Sequence, residues 1–184
     1  MVFVEQYLHR LSELFTQIDH SEIELLLETL NSCSLGQRTV FIVGNGGSAA
    51  TASHMVNDLS IGLQKQGHRF RAFCLSDNTP SLTAVANDSD YSEIFSSQLR
   101  VLAREGDLLI LFSASGNSPN LISACDEADR LGIETFGILG FDGGTLRARC
   151  DKSVLVPTAR GEYGPVEDVH MMIDHIVLSY FSQK

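Results

Sequence analysis

Two short segments gather hydroxyls, amides and glycines without a single lysine or arginine: Gly44-Asn45-Gly46-Gly47-Ser48 and Ser113-Ala114-Ser115-Gly116-Asn117-Ser118. Each follows an apolar run and precedes a helical pattern. That arrangement leaves free backbone amides and hydroxyls at a helix N-terminus, which is a cradle for an anion. Three serine hydroxyls in six residues, curved around a glycine, suit the oxygens of a terminal phosphate. The nucleotide string G-x-x-x-x-G-K-[ST], whose lysine reaches the outer phosphates, does not occur, so ATP is not expected. Gly44, Gly46 and Ala49 fit the loose dinucleotide pattern, but the acidic residue it needs roughly 20 residues on is missing, because Asp58 falls inside the next helix and Asp77 lies too far along. Gly, Ser and Asn also populate ordinary turns, and the two loops at equivalent strand ends are what favour the phosphate reading.

A second set of residues could bind a metal or move protons. His54 and Asp58 are four apart and share one helix face, a suitable half-site for a metal. Glu167 and His175 are eight apart in the last helical pattern, roughly 80° around its axis, so both can look toward one ligand from two turns apart. Each of these also fits a solvated or simply satisfied polar side chain. His170 and Asp174 lie off the Glu167 and His175 face and are expected to contact a neighbouring subunit.

The elements that must position these groups can be read from apolar patterning. Val4, Tyr7, Leu8, Leu11 and Leu14, then Ile23, Leu26, Leu27 and Leu30 after a Ser21 cap, predict a helical lead-in over residues 1–36, packing on the chain's own sheet or on a second subunit. From Thr39 the texture becomes short continuous apolar runs: Thr39 to Val43, Phe70 to Leu75, Leu108 to Phe112, Thr135 to Leu139 and Ser153 to Val156. Such runs are expected of strands buried on both faces. Helical stretches are predicted over Ser48 to Ile61, Asp90 to Arg104, Asn120 to Leu131, Thr145 to Ala148 and Val166 to Phe181. The alternation implies an α/β fold, a doubly wound five-stranded parallel sheet in a single domain over 1–184. In such a sheet, ligands collect at the carboxyl ends of the strands, where both loops stand.

Composition removes several classes of partner. A formal net charge of −10 disfavours nucleic acid and anionic membrane, which need a basic face. Cys33, Cys74, Cys125 and Cys150 show no CxxC spacing and are read as reduced thiols. The N-terminal stretch carries Glu5 and Glu13 and is neither a signal peptide nor a membrane span, so the cytoplasm is the expected compartment.

The loop Gly44 to Ala50, the helix containing His54, the pair Asn87-Asp88, the loop Ser113 to Ser118 and the last helix with His170 and His175 together resemble the phosphoheptose isomerase family of SIS (sugar isomerase) proteins. The likeness runs in order through nearly the whole chain. It implies a flavodoxin-like SIS fold and an aldose-ketose isomerase acting on sedoheptulose 7-phosphate. It also implies Zn²⁺ as cofactor and a homo-oligomer, a tetramer with sites at subunit interfaces. By the same resemblance Ser48, Ser113, Ser115 and Ser118 hold the phosphate, while Asn45 and Asp88 contact the sugar. His54, Asp58, Glu167 and His175 bind the metal, with Asp58 and His175 in the acid-base role. The chain departs from the family pattern in having Asp58 for Glu, Glu167 for Gln, Ala114 for Thr and Gly164 for Asp. The alternatives are an isomerase of another phosphosugar, or a non-catalytic phosphosugar-binding SIS protein similar to the replication-initiator-associating type.

Overall fold

The structure, a computed structural model, describes residues 2–183. Five parallel strands, β1 (Thr39–Val43), β2 (Arg71–Cys74), β3 (Leu108–Ser113), β4 (Glu134–Phe141) and β5 (Lys152–Pro157), form one sheet in the order β2-β1-β3-β4-β5. Every residue of β1 and β3 is buried. Alternate side chains feed two separate cores: Val40, Ile42, Leu108, Ile110 and Phe112 enter one, and Phe41, Val43, Leu109 and Leu111 enter the other. This two-sided burial is why the strands read as unbroken apolar runs.

The first core is covered by α1 (Val2–Gln17), α2 (His20–Gly36), α3 (Gly47–Asn57) and α8 (Tyr163–Ser182), which contribute Leu14, Leu26, Leu30, Met55, Val169, Ile173, Val177 and Phe181. The second is covered by α4 (Thr79–Asp88), α5 (Ser96–Leu102), α6 (Pro119–Leu131) and α7 (Gly144–Arg149), through residues such as Leu99, Leu121, Ala124, Ala128 and Leu146. The strand order reverses between β1 and β3, so their two carboxyl-end loops lie side by side at the switch point.

Three elements differ from the sequence expectation. The stretch expected as one helix from Asp90 is a 3₁₀ turn, Tyr91–Glu93, followed by the shorter α5. Helix α4 precedes it, announced by Asn78, whose side chain accepts from the Ser81 amide at 3.2 Å, and by a proline in the first turn. Helix α3 opens from Asp58 into a π turn, Asp58–Gly62.

The lead-in packs on the chain's own sheet in part. Leu11 and Leu14 pack on the chain's own core, whereas Val2, Phe3, Val4 and Leu8 remain exposed. The cap of α2 is Asp19, accepting from the Ser21 amide, rather than Ser21 itself. His170 does not reach outward to a neighbour: it is 1% exposed and lies against the Phe112 ring at 5.8 Å between centroids. Burial pulls its pKa down to about 4; the Leu139 backbone opposes this, although neither ring nitrogen makes a full hydrogen bond. The imidazole is a neutral core group. Among the described residues no helix is long and apolar enough to cross a membrane.

At the opposite end of the sheet Glu134 accepts from Lys152 at 2.6 Å and Arg38 at 2.7 Å. Burial alone would raise its pKa, but the hydrogen bonds from Lys152 and Arg38 outweigh it and hold the carboxyl below its ordinary value. A lowered folded-state pKa contributes stability above the unfolded value, which is lost as pH falls through the folded one. Glu134→Gln is therefore expected to destabilise the chain by about 1–2 kcal/mol at pH 7. In urea titrations that difference should shrink steadily between pH 5 and pH 3. In the same titrations at pH 7, Ile110→Ala, in the fully buried central strand, should cost about 2–5 kcal/mol.

Candidate active site

The site is built from the two loops at the switch point and the helices that follow them. Asn45, Ser48, Ser113, Ser115 and Ser118 line one cavity of about 160 Å³, together with Phe112, Ala114, Leu121, Tyr163 and Glu167. Five of the six residues expected at the substrate thus converge. The sixth, Asp88, is exposed at the end of α4 and does not line the cavity.

The loop geometry follows from local hydrogen bonds. Ser113 Oγ accepts from the Gly116 amide at 3.0 Å and Ser115 Oγ from the Asn117 amide at 3.2 Å, which curls the chain back on itself. Each serine keeps its hydroxyl proton to donate. Gly116 has φ +63° and passes so close to the Gly143 carbonyl that a Cβ there would collide with it. The two loops are latched together by a reciprocal amide pair: Asn45 donates to Asn120 at 2.9 Å and Asn120 donates back at 2.8 Å. Tyr91 adds a hydroxyl donated to Asn45 at 3.2 Å. The sequence reading missed Asn120, 1% exposed, which lies two residues beyond the serine loop.

A second group lies farther along α3. His54, Asp58, Asp174 and His175 place one nitrogen or oxygen each within 4.8 Å of one another. His54 Nε2 is 3.4 Å from Asp58 Oδ2, 3.9 Å from Asp174 Oδ2 and 3.4 Å from His175 Nε2. Donors arranged tetrahedrally at ~2.1 Å from an ion stand ~3.4 Å apart, so these separations fit a divalent cation. The burial pattern points the same way: Asp58 Oδ2 and both Asp174 oxygens are buried with no hydrogen-bond partner. Burial first, and the neighbouring Asp58 charge second, push the Asp174 carboxyl up to about 7.

Three of the four residues expected at a metal are in this group. Asp174, set aside in the sequence reading, is the fourth, and Glu167 stands elsewhere. The reason is axial distance: Glu167 is seven residues before Asp174, ~10 Å along the helix. Its carboxylate ends instead over Gly47 at the first turn of α3, where a Cβ would collide with it. Angular position around α8 therefore does not decide which side chains gather beside His54; height along it does.

The sequence matches the SIS domain family over residues 3–140. It is 37% identical to the phosphoheptose isomerase of Chlorobaculum parvum over 174 residues, 94% of this chain and 83% of that one. It is likewise 37% identical to the phosphoheptose isomerase of Nitratiruptor sp. over 147 residues, 80% of this chain and 78% of that one. The structure superposes on the phosphoheptose isomerase GmhA from Neisseria gonorrhoeae with a TM-score of 0.87 at 27% identity, covering 99% of this chain and 96% of that one. The phosphoheptose isomerase of Francisella tularensis gives 0.86 at 26% identity, covering 99% and 95%.

The amide latch should be measurable in the protein alone. Asn120→Ala leaves the Asn45 amide without its partner and is expected to cost about 1–3 kcal/mol in urea unfolding. Asn120→Asp keeps the acceptor but removes the donor, and should recover only part of that loss.

Proposed function

The chain belongs to the SIS domain family and, within it, to the phosphoheptose isomerases, and on that footing we propose that it interconverts sedoheptulose 7-phosphate and D-glycero-D-manno-heptose 7-phosphate. The observation that carries the reading is that α3 starts at the hydroxyl-lined cavity and leads to the histidine-carboxylate group. Ser48 and His54 are ~9 Å apart along its axis. A phosphorylated chain of six or seven carbons spans that gap, whereas a triose phosphate falls short.

Ketose-aldose isomerisation moves a proton between C1 and C2. It needs a base near carbon, an acid near oxygen and positive charge where the enediolate develops. In this reading Ser48, Ser113, Ser115 and Ser118 hold the phosphate by donated hydrogen bonds and fix where the far end of the sugar lies. Asp58 and His175 handle the proton between the two carbons and their oxygens. His54, Asp58, Asp174 and His175 would hold Zn²⁺, which supplies Lewis-acid polarisation of the sugar oxygens when bound. Two carboxylates and two neutral imidazoles balance the charge of such an ion. Glu167, freed from that group, accepts a hydrogen bond from a sugar hydroxyl within the cavity it lines. The exposed apolar residues Val2, Phe3, Val4 and Leu8 of α1 support a homo-oligomer, with a tetramer as the proposed assembly and the cytoplasm as its compartment.

Protein purified without added metal is expected to carry close to one zinc per chain by elemental analysis. Chelation should lower Tm, because an ion bound only by the folded state stabilises it. Incubation with sedoheptulose 7-phosphate should yield the aldose, and His175→Ala should slow that conversion by about 10²–10⁴-fold with the fold intact. Zinc-loaded wild type that converts no phosphoketose would reject catalysis in favour of phosphosugar binding alone. Unphosphorylated sedoheptulose should be a far poorer substrate, read as a fall in kcat/KM.

A further inference from the structure

The four cysteines are spread through the sequence, yet the fold brings two of them together. Cys125 lies in α6 and is 2% exposed; Cys150 directly follows α7 and is partly exposed. Their sulfur atoms are 3.9 Å apart. Cys33 and Cys74 pack with the opposite core layer, across the sheet. Closing the Cys125–Cys150 pair to a bond of about 2.05 Å requires the two sulfurs to draw nearer than the 3.9 Å they hold now.

We infer that Cys125 and Cys150 are a disulfide-forming site, oxidised by hydrogen peroxide that enters from the exposed side of Cys150. In the first step one thiolate takes an oxygen from the peroxide, becoming a sulfenic acid while the O–O bond breaks and water leaves. In the second the other thiolate attacks that sulfur, forming the S–S bond and expelling the oxygen as a second water. Two electrons pass from the paired sulfurs to the peroxide, and both thiol protons end in water. The hydrogen bond from Cys150 holds the Cys125 thiol below its ordinary pKa, which favours a thiolate within the pair.

The bond would tie together the two helices that anchor the serine loop. Helix α6 starts directly after Ser118, the last residue of that loop. Helix α7 holds the loop from the other side, through the Leu146 amide on the Gly116 carbonyl at 2.9 Å and the Thr145 amide on Asn117 Oδ1 at 2.9 Å. Oxidation therefore restrains the hydroxyl-lined cavity without altering any of the hydroxyls that line it.

The test exposes reduced, folded protein to hydrogen peroxide and then alkylates it in denaturant for intact-mass and peptide analysis. The expected result is two fewer alkylated thiols, a Cys125–Cys150 linkage, and a rise in Tm of about 5 °C that dithiothreitol reverses. Cys150→Ser, and independently Cys125→Ala, should lose both the linkage and the rise. Amide hydrogen exchange across residues 113–118 should slow on oxidation of wild type and stay constant in the variants. Four alkylated thiols in peroxide-treated wild type, a linkage involving Cys33 or Cys74, or a bond only between chains would each overturn the assignment. Unchanged exchange across 113–118 would overturn the coupling to the loop.

Discussion

The arrangement depends on α3 and α8 lying side by side and running in the same direction across one face of the sheet. Gly47 meets Glu167 near the start of both helices, His54 meets His175 about two turns on, and Gly62 meets Leu178 beyond that. Two parallel rods in contact behave like paired rulers, in which equal heights touch and unequal heights do not. The hydroxyl-lined cavity occupies one height and the histidine-carboxylate group another, so the pair sets both sites and the gap between them.

That packing rests on apolar burial on the sheet side of each helix. Met55 on α3, and Val169, Ile173, Val177 and Phe181 on α8, join the same core as Val40, Ile42, Leu108 and Ile110. Each fully buried side chain of this kind contributes roughly 1.5–3 kcal/mol. Against that gain stands the cost of burying Asp58 and Asp174 with oxygens that lack hydrogen-bond partners. The fold tolerates two desolvated carboxylates where it could have placed apolar residues, and the two histidine nitrogens beside them make a binding role the simplest account of that cost. The π turn that begins at Asp58 sits at the same place, consistent with the use of wide turns at functional positions.

The hydroxyl-lined cavity follows a different principle. No lysine or arginine lines it; serines at the ends of β1 and β3 do, in a chain whose net charge is −10. Neutral donors can hold an anion even in an acidic chain because the field at such a site is local. They are held in place by the Asn45–Asn120 amide pair and by contacts from α7, so the serine loop is fixed from several directions rather than by its own sequence.

Much of this was written locally. The five strands, the parallel order implied by alternation, the two loops and the helical face of His54 and Asp58 could be read from residue types and spacing, because buried strands, glycine-serine turns and i, i+4 neighbours are short-range features. The exposed α4 was lost because its flanks carry little apolar signal, although Asn78 and a following proline marked its start. Which residues complete each site was decided only by tertiary packing. Asp174 stands beside His54 and Glu167 stands apart from it because angle around a helix is legible in the sequence while height against a neighbouring helix is not. The pairing of Cys125 with Cys150 and the burial of His170 have the same origin: both are distances between elements far apart in the chain, fixed when the two core layers close on the sheet.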